Sequence, residues 1–291
     1  MALLDSILIT GGAGMLAHAF SDICTRRRLE VDLVARDECD VTSVPEILAA
    51  LDRYEPTVLI NCAAYTKVDL AEKEKDAALT INGKAVGFLA EACRRRNVAL
   101  VHFSTDYVFD GTVTRPLRPS DPVGPQSMYG ASKLLGEQML QEFAPDQWLI
   151  LRTAWLYGPG GPNFPQTMLN AARAGKPLKV IQDQVGCPTF TYDLADAALN
   201  LLESGANGIF HLSNAGSTNW FEFTQAIMQE FGVTPTSLEP ITSADWKRIK
   251  PESANRPSYS VLDVTPYEQT TGKMMPHWRD GLRRYRQANP A

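Results

Sequence analysis

Short apolar runs alternate with longer amphipathic stretches through the first half of the chain. Ile7-Leu8-Ile9 is the first run, and Thr10-Gly11-Gly12-Ala13-Gly14 breaks it. A helix is predicted from Met15 to about Leu29, a second strand over 31–35 and a helix over 43–53. Ser43 is placed to cap that helix, with Glu46 three residues on completing a capping box. Val58-Leu59-Ile60 reads as a third strand, 76–96 as a helix and 98–104 as a fourth strand. Arg94, Arg95 and Arg96 then form a solvated last turn that suits the helix dipole. A helix over 129–142 and a strand over 147–153 follow. Short apolar strands separated by helices indicate a parallel sheet covered on both faces. The order β-glycine turn-α-β-α-β is that of an α/β doubly wound, Rossmann-type sheet. After Tyr157 the rhythm weakens, beginning with Gly158-Pro159-Gly160-Gly161-Pro162. Residues 1–155 are therefore expected to form mainly a dinucleotide-binding domain. Residues 156–291 are expected to form mainly a smaller substrate-binding lobe, with some segments returning to the main sheet.

Composition narrows the function. The 291 residues carry 28 Lys and Arg against 33 Asp and Glu, a net charge of −5. That balance argues against a nucleic-acid partner, which calls for a basic surface. No apolar run approaches the roughly 18 residues of a membrane helix, so no membrane partner is expected. The N-terminal stretch MALLDSILIT lacks a basic segment and is interrupted by Asp5, unlike a signal peptide. Five scattered cysteines without a CxxC pair suit a reducing, cytoplasmic compartment. His18, His102, His211 and His277 are scattered and there is no HExxH, so no metal is expected. Neither GxSxG nor GxxxxGK[ST] occurs.

Gly11-Gly12-Ala13-Gly14-Met15-Leu16-Ala17 lies between a predicted strand and a predicted helix. Glycines there let the backbone approach a pyrophosphate, and the helix N-terminus favours its charge. Ala17 supplies the small residue needed for close helix–strand packing. A plain tight turn is the alternative reading. The second strand ends in Ala35-Arg36-Asp37, and an Arg there accommodates a 2′-phosphate. Arg36 thus leans toward NADPH, with NADH left open by Asp37.

Tyr129 and Lys133 stand four residues apart at the start of a helix, on one face and about 5–6 Å apart at Cβ. A Lys cation about 4 Å from a phenol favours the phenolate by about 4 kcal/mol at an effective dielectric near 20. The pair suits general acid work on a carbonyl oxygen. Ser104-Thr105-Asp106-Tyr107 ends the fourth strand, where ligands bind in open α/β sheets. A hydroxyl there can hydrogen-bond the oxygen that Tyr129 protonates. Asn61-Cys62-Ala63-Ala64-Tyr65 ends the third strand with small residues that admit a cofactor or simply pack.

Together these residues resemble the extended short-chain dehydrogenase/reductase superfamily, and within it the dTDP-4-dehydrorhamnose reductase family. The likeness runs from the first strand to near residue 265. It rests on AAYTKVD at 63–69, STDYVFDG at 104–111, YGASKLLGE at 129–137, RTAWLYG at 152–158, DQVGCPT at 183–189 and Arg256-Pro257. The resemblance implies reduction of a nucleotide-linked 4-keto-6-deoxyhexose by NADPH or NADH. It implies Tyr129 as proton donor, Lys133 on the nicotinamide ribose and lowering the Tyr129 pKa, and Thr105 polarising the carbonyl. Asp40 and Val41 would sit by the adenine, and Ala63, Ala64 and Tyr65 along the cofactor. Asp106, Tyr107 and Trp155 would face the sugar, and Arg256 the diphosphate. Met128 stands where the resemblance leads one to expect a small or β-branched residue. Two alternatives remain at this point. One is another nucleotide-sugar epimerase or reductase; the other is a non-catalytic NADP-binding regulatory subunit like that of methionine adenosyltransferase. A homodimer is compatible with all of them. Because the net charge is negative, binding of anionic ligands has to rest on local features: the glycine turn, Arg36, Lys133 and Arg256.

Overall fold

The computed structural model describes residues 4–289. Met1, Ala2 and Leu3 of the N-terminal stretch, and Pro290 and Ala291 at the end of the second lobe, lie outside them. The main strands are β1 (Ile7–Thr10), β2 (Val31–Val34), β3 (Val58–Asn61), β4 (Ala99–Thr105), β5 (Trp148–Thr153), β6 (Leu178–Ile181), β7 (Gly208–His211) and β8 (Leu238–Ile241). The main helices are α1 (Met15–Arg27), α2 (Val44–Tyr54), α3 (Ala85–Arg96), α4 (Met128–Glu142), α5 (Phe164–Arg173), α6 (Thr191–Glu203), α7 (Trp220–Phe231) and α8 (Trp278–Ala288).

Six strands form one sheet in the order β7-β5-β4-β3-β1-β2, every neighbouring pair parallel. β1, β3 and β4 are buried along their whole length, which is why their sequences are continuous apolar runs and not alternating ones. One face packs on α1 and α6 through Phe20, Ile23, Leu194 and Leu201. The other packs on α2 and α3 through Ile47, Leu51, Val86 and Leu89. This is the α/β doubly wound sheet that the periodicity indicates. Residues 191–211 run back from the second half of the chain, α6 onto the sheet and β7 onto its edge beside β5. The remaining lobe has its own core of Tyr157, Leu169, Phe190, Phe223, Trp278 and Tyr285. There β6 pairs with β8, in parallel.

Two local expectations change. Ser43 precedes α2 but its side chain makes no cap hydrogen bond, and Glu46 does not close a capping box. Glu46 instead accepts the Asp40 N–H at 2.9 Å, tying down the turn before the helix. The helix predicted over 76–96 is three pieces: Lys75–Leu79, a π-helical turn Thr80–Lys84, and α3. The cause is packing against α4. A Cβ on Gly136 of α4 would lie 2.2 Å from the Asn82 carbonyl oxygen, so the two backbones nearly touch at the π-turn. Asn82 there donates to Tyr65 O and Ser132 Oγ and accepts the Tyr65 N–H.

One buried ion pair sets α4 on the sheet. Arg152 near the end of β5 donates from Nε and Nη2 to both carboxylate oxygens of Glu137, at 2.9 and 2.7 Å. Its third donor reaches Pro119 O at 3.0 Å. The two side chains are 4% and 1% exposed. Glu137→Gln keeps the shape and strands the guanidinium without its counter-charge. The expected loss is about 3–5 kcal/mol in urea denaturation. A loss below about 1 kcal/mol would show that α4 is held by other contacts.

Candidate active site

Glycines at three points bring the walls of the site together. Gly11 has φ +70°, and a Cβ on it would lie 2.7 Å from Ala63 N, so the turn after β1 rests directly on the chain leaving β3. Gly12 faces β2, where a Cβ would meet Leu33 and Val34 at 3.0–3.1 Å. Gly130, in the first turn of α4, has the same function: a Cβ there would lie 2.2 Å from Tyr107 O. That contact puts Tyr129 against the Thr105–Tyr107 segment, with the Tyr107 and Tyr129 rings edge to face at 5.5 Å. Ser127 caps α4 by accepting the Gly130 N–H, and Glu72 accepts the Met128 N–H.

These walls enclose a cavity of about 750 Å³ at the carboxyl ends of β1 to β5. At one end lie Gly11, Ala13, Gly14, Met15 and Leu16, with Arg36, Asp40 and Val41 beside them. Ala63 and Ala64 line its middle. Thr105, Asp106, Tyr107, Tyr129, Lys133 and Trp155 line the other end. Most residues singled out from sequence thus share one cavity. Gly12, Tyr65 and Arg256 are not in its lining. The Tyr65 hydroxyl is turned away to Glu74 at 2.8 Å. Arg256 is half-buried and paired with Asp69 at 2.8 Å, close enough to Tyr107 to act on its phenol.

The glycine end fits a dinucleotide. Gly14 caps α1 without a side-chain hydrogen bond, and the first turn holds no acidic residue. The amides at the start of a 13-residue helix therefore present uncompensated positive charge to the cavity. Ala17 is fully buried against the sheet. Arg36 is 81% exposed at the rim, its Nε 3.3 Å from Asp40. The loop Gly160-Gly161-Pro162 closes over this end, a contribution the local sequence does not signal. A Cβ on Gly161 would sit 3.2 Å from Met15.

At the other end the electrostatics depart from expectation. Burial and then the neighbouring Asp106 charge push the Tyr129 phenol up to about 12, opposed by its hydrogen bond with Thr105. Burial also raises the Asp106 carboxyl to about 6, against hydrogen bonds from Ser260 and Thr105. Lys133 is not the group acting on Tyr129. Its Nζ lies 3.1 Å from His102 Nε2, and burial lowers the ammonium to about 8. The reason is the position of the Lys133 side chain, which is 3% exposed and held in the sheet–helix interface.

His102 and Asn61 are the residues that sequence reasoning missed. The strand register sets Thr10 opposite Asn61 and Asn61 opposite His102. Their side chains form a buried row: Thr10 Oγ1 donates to Asn61 Oδ1 at 2.8 Å, and Asn61 Nδ2 meets His102 Nδ1 at 3.1 Å. The signal was a polar residue beside the apolar run of each of three buried strands.

Trp155 completes the wall of the cavity at this end. It has φ +48°, a left-handed conformation rare outside glycine. Its ring stacks on Trp220 at 3.5 Å and 8°. Gly186 makes room beneath it, since a Cβ there would lie 2.6 Å from the indole.

The chain matches the RmlD substrate binding domain over residues 5–289. It belongs to that family. It is 39% identical over 280 residues to the dTDP-4-dehydrorhamnose reductase of Streptomyces griseus, covering 94% of this chain and 91% of that one. It is 37% identical over 278 residues to the dTDP-4-keto-6-deoxy-D-glucose reductase of Streptomyces niveus, covering 96% and 95%. The crystal structure of the dTDP-4-dehydrorhamnose reductase of Bacillus anthracis in complex with NADP superposes with a TM-score of 0.92 at 31% identity. That match covers 98% of this chain and 99% of the other.

Gly130→Ala is expected to push α4 away from Tyr107 and lower stability by about 2 kcal/mol or more, the scale of a core overpacking. Thermal unfolding of the variant checks this, and an unchanged midpoint would contradict the contact.

Proposed function

We propose that this chain reduces the C4 ketone of a nucleotide-linked 4-dehydro-6-deoxyhexose with NADPH, NADH serving as an alternative. The favoured reaction is dTDP-4-dehydro-L-rhamnose to dTDP-L-rhamnose. The observation that carries the proposal is one cavity with a bare helix N-terminus at one end and Thr105, Tyr129 and Lys133 at the other. Family membership and the reductases that match along almost their full length support the same reading.

When bound, the reduced nicotinamide supplies a hydride to the ketone carbon. The Thr105 and Tyr129 hydroxyls are hydrogen-bonded to each other, and the ketone oxygen is held beside them. Tyr129 keeps its proton throughout the neutral range, since its phenol is raised to about 12. It is therefore a proton donor to the developing alkoxide and needs no activation to carry that proton. In the free protein the Thr105 hydroxyl donates its one proton to Asp106 at 3.0 Å, so it has to turn from Asp106 to hydrogen-bond the ketone oxygen. Lys133 positions the ribose between the two ends. Trp155, held between Trp220 and Gly186, offers an apolar indole edge to the hexose. Arg256 reaches a diphosphate only by sharing or leaving Asp69. In this reading the sheet domain holds the dinucleotide, and the lobe core around Phe223 and Trp278 supports the sugar side. A cytoplasmic setting belongs to the same proposal, and all five cysteines are free, as a reducing compartment requires. Among the described residues no helix is long and apolar enough to cross a membrane.

The test supplies dTDP-4-dehydro-L-rhamnose and follows NADPH absorbance. Turnover is expected, with Tyr129→Phe slower by about 10² or more. No oxidation of NADPH or NADH, with the substrate shown intact, would overturn the reading. Arg36→Ala should raise the KM for NADPH about tenfold and leave that for NADH unchanged, the effect of one charge-assisted contact. Equal values for the native chain and the variant would remove Arg36 from the 2′-phosphate site.

A further inference from the structure

The row Thr10–Asn61–His102–Lys133 is buried from end to end, with each member at most 3% exposed. Its donors and acceptors can be counted. The Ala63 backbone N–H, which can only donate, points at Asn61 Oδ1 at 3.1 Å. Thr10 Oγ1 donates to the same oxygen. The amide is thereby fixed with Oδ1 toward these donors and Nδ2–H toward His102 Nδ1. His102 Nδ1 must accept. Burial is the largest cause holding the His102 pKa well below its ordinary value, and with Nδ1 an acceptor the neutral ring carries its single proton on Nε2. That proton faces Lys133 Nζ at 3.1 Å. An ammonium has three donors and no acceptor, whereas a neutral amine has a lone pair for it.

We propose that His102, held as the Nε2–H form by Asn61, donates to Lys133 and favours its neutral amine in the free protein. Dinucleotide binding then draws up to one proton from solvent onto Lys133, in proportion to the amine that is neutral at that pH. The inference rests on the reading of the cavity as a dinucleotide site. Ribose hydroxyls accept hydrogen bonds, which an ammonium offers and an amine scarcely does, so the ligand and the imidazole favour opposite protonation states. The proton forms one N–H bond at Nζ, and no other bond changes.

The groups acting on Lys133 come from three elements. His102 lies on β4, Cys62 follows β3, and Glu137 stands one turn further along α4. Glu137 favours the ammonium, but its carboxylate is already bidentate to Arg152. Burial lowers Lys133 to about 8 in the free protein. A site depressed when empty and relieved when filled takes up protons between its two pKa values. Dinucleotide affinity should therefore be flat below about pH 7 and fall as pH rises above about 8. His102 is in this sense a positioning residue, acting through Lys133.

Two measurements test the proposal. Nitrogen NMR on isotope-labelled free protein, with His102→Gln identifying the signal among four histidines, reads which ring nitrogen carries hydrogen. A protonated Nε2 and a bare Nδ1 are expected; the opposite tautomer overturns the proposal. Calorimetric titration with NADP+ in two buffers of different ionisation enthalpy counts protons taken up. Of the order of half a proton is expected near pH 8 and none near pH 6. Binding without uptake near pH 8 overturns the proposal. Asn61→Asp offers His102 Nδ1 an acceptor in place of a donor, reverses the tautomer and should abolish the uptake; retained uptake with a reversed tautomer also overturns it. If Asn61→Asp does not fold, the native measurements at the two pH values decide alone. If neither NADP+ nor NAD+ binds, the dinucleotide reading of the cavity fails, while the tautomer still decides the role of His102.

Discussion

The bidentate pair between Arg152 and Glu137 joins the end of β5 to the middle of α4, and α4 carries both Tyr129 and Lys133. Apolar side chains of similar volume would hold a helix to a sheet at least as strongly. They would not fix its rotation about its own axis. Two parallel hydrogen bonds to a planar guanidinium do, because both oxygens have to meet both nitrogens. With α4 locked, two of its glycines are pressed on backbones, Gly130 on Tyr107 and Gly136 on Asn82. The first contact places the phenol against Thr105. The second forces the π-turn that frees Asn82 to hold the chain after β3. The positions of the reacting groups therefore follow from a contact that lies outside the cavity lining.

The polar row under the site solves a different problem. A buried Lys is costly unless it has partners. Here its partner is not a carboxylate but a neutral imidazole, itself oriented by an amide and a backbone N–H. The parallel register makes this possible at low conformational cost, because Thr10, Asn61 and His102 stand side by side on adjacent strands that are already fixed.

Features carried by short spacing were legible in the sequence. The glycine turn, the Tyr129–Lys133 pair and the strand-end Thr105 each depend on neighbours within a few residues, and most of them meet in one cavity. The sheet was legible because four-residue apolar runs buried on both sides leave little choice of structure. What was hidden depends on distant pairing. His102 sits 41 residues from Asn61 and 31 from Lys133, and no local pattern links them. The Tyr129 environment was misjudged for the same reason. Helical spacing places Lys133 on the correct face, but the imidazole that meets its Nζ arrives from β4. Ser43 and Glu46 matched a capping box in spacing, yet Asp40 took the carboxylate first.

Trp155 and Trp220 lie face to face at 3.5 Å, one on the segment leaving the main sheet and the other at the start of α7 in the lobe. Two indoles that close share their electronic transitions, so their ultraviolet absorption and emission depend on the angle and separation between them. One of the rings lines the cavity and the other leans on Phe164. The protein thus carries an intrinsic optical ruler across the seam between its two halves, reporting any slippage of lobe against sheet without an added label.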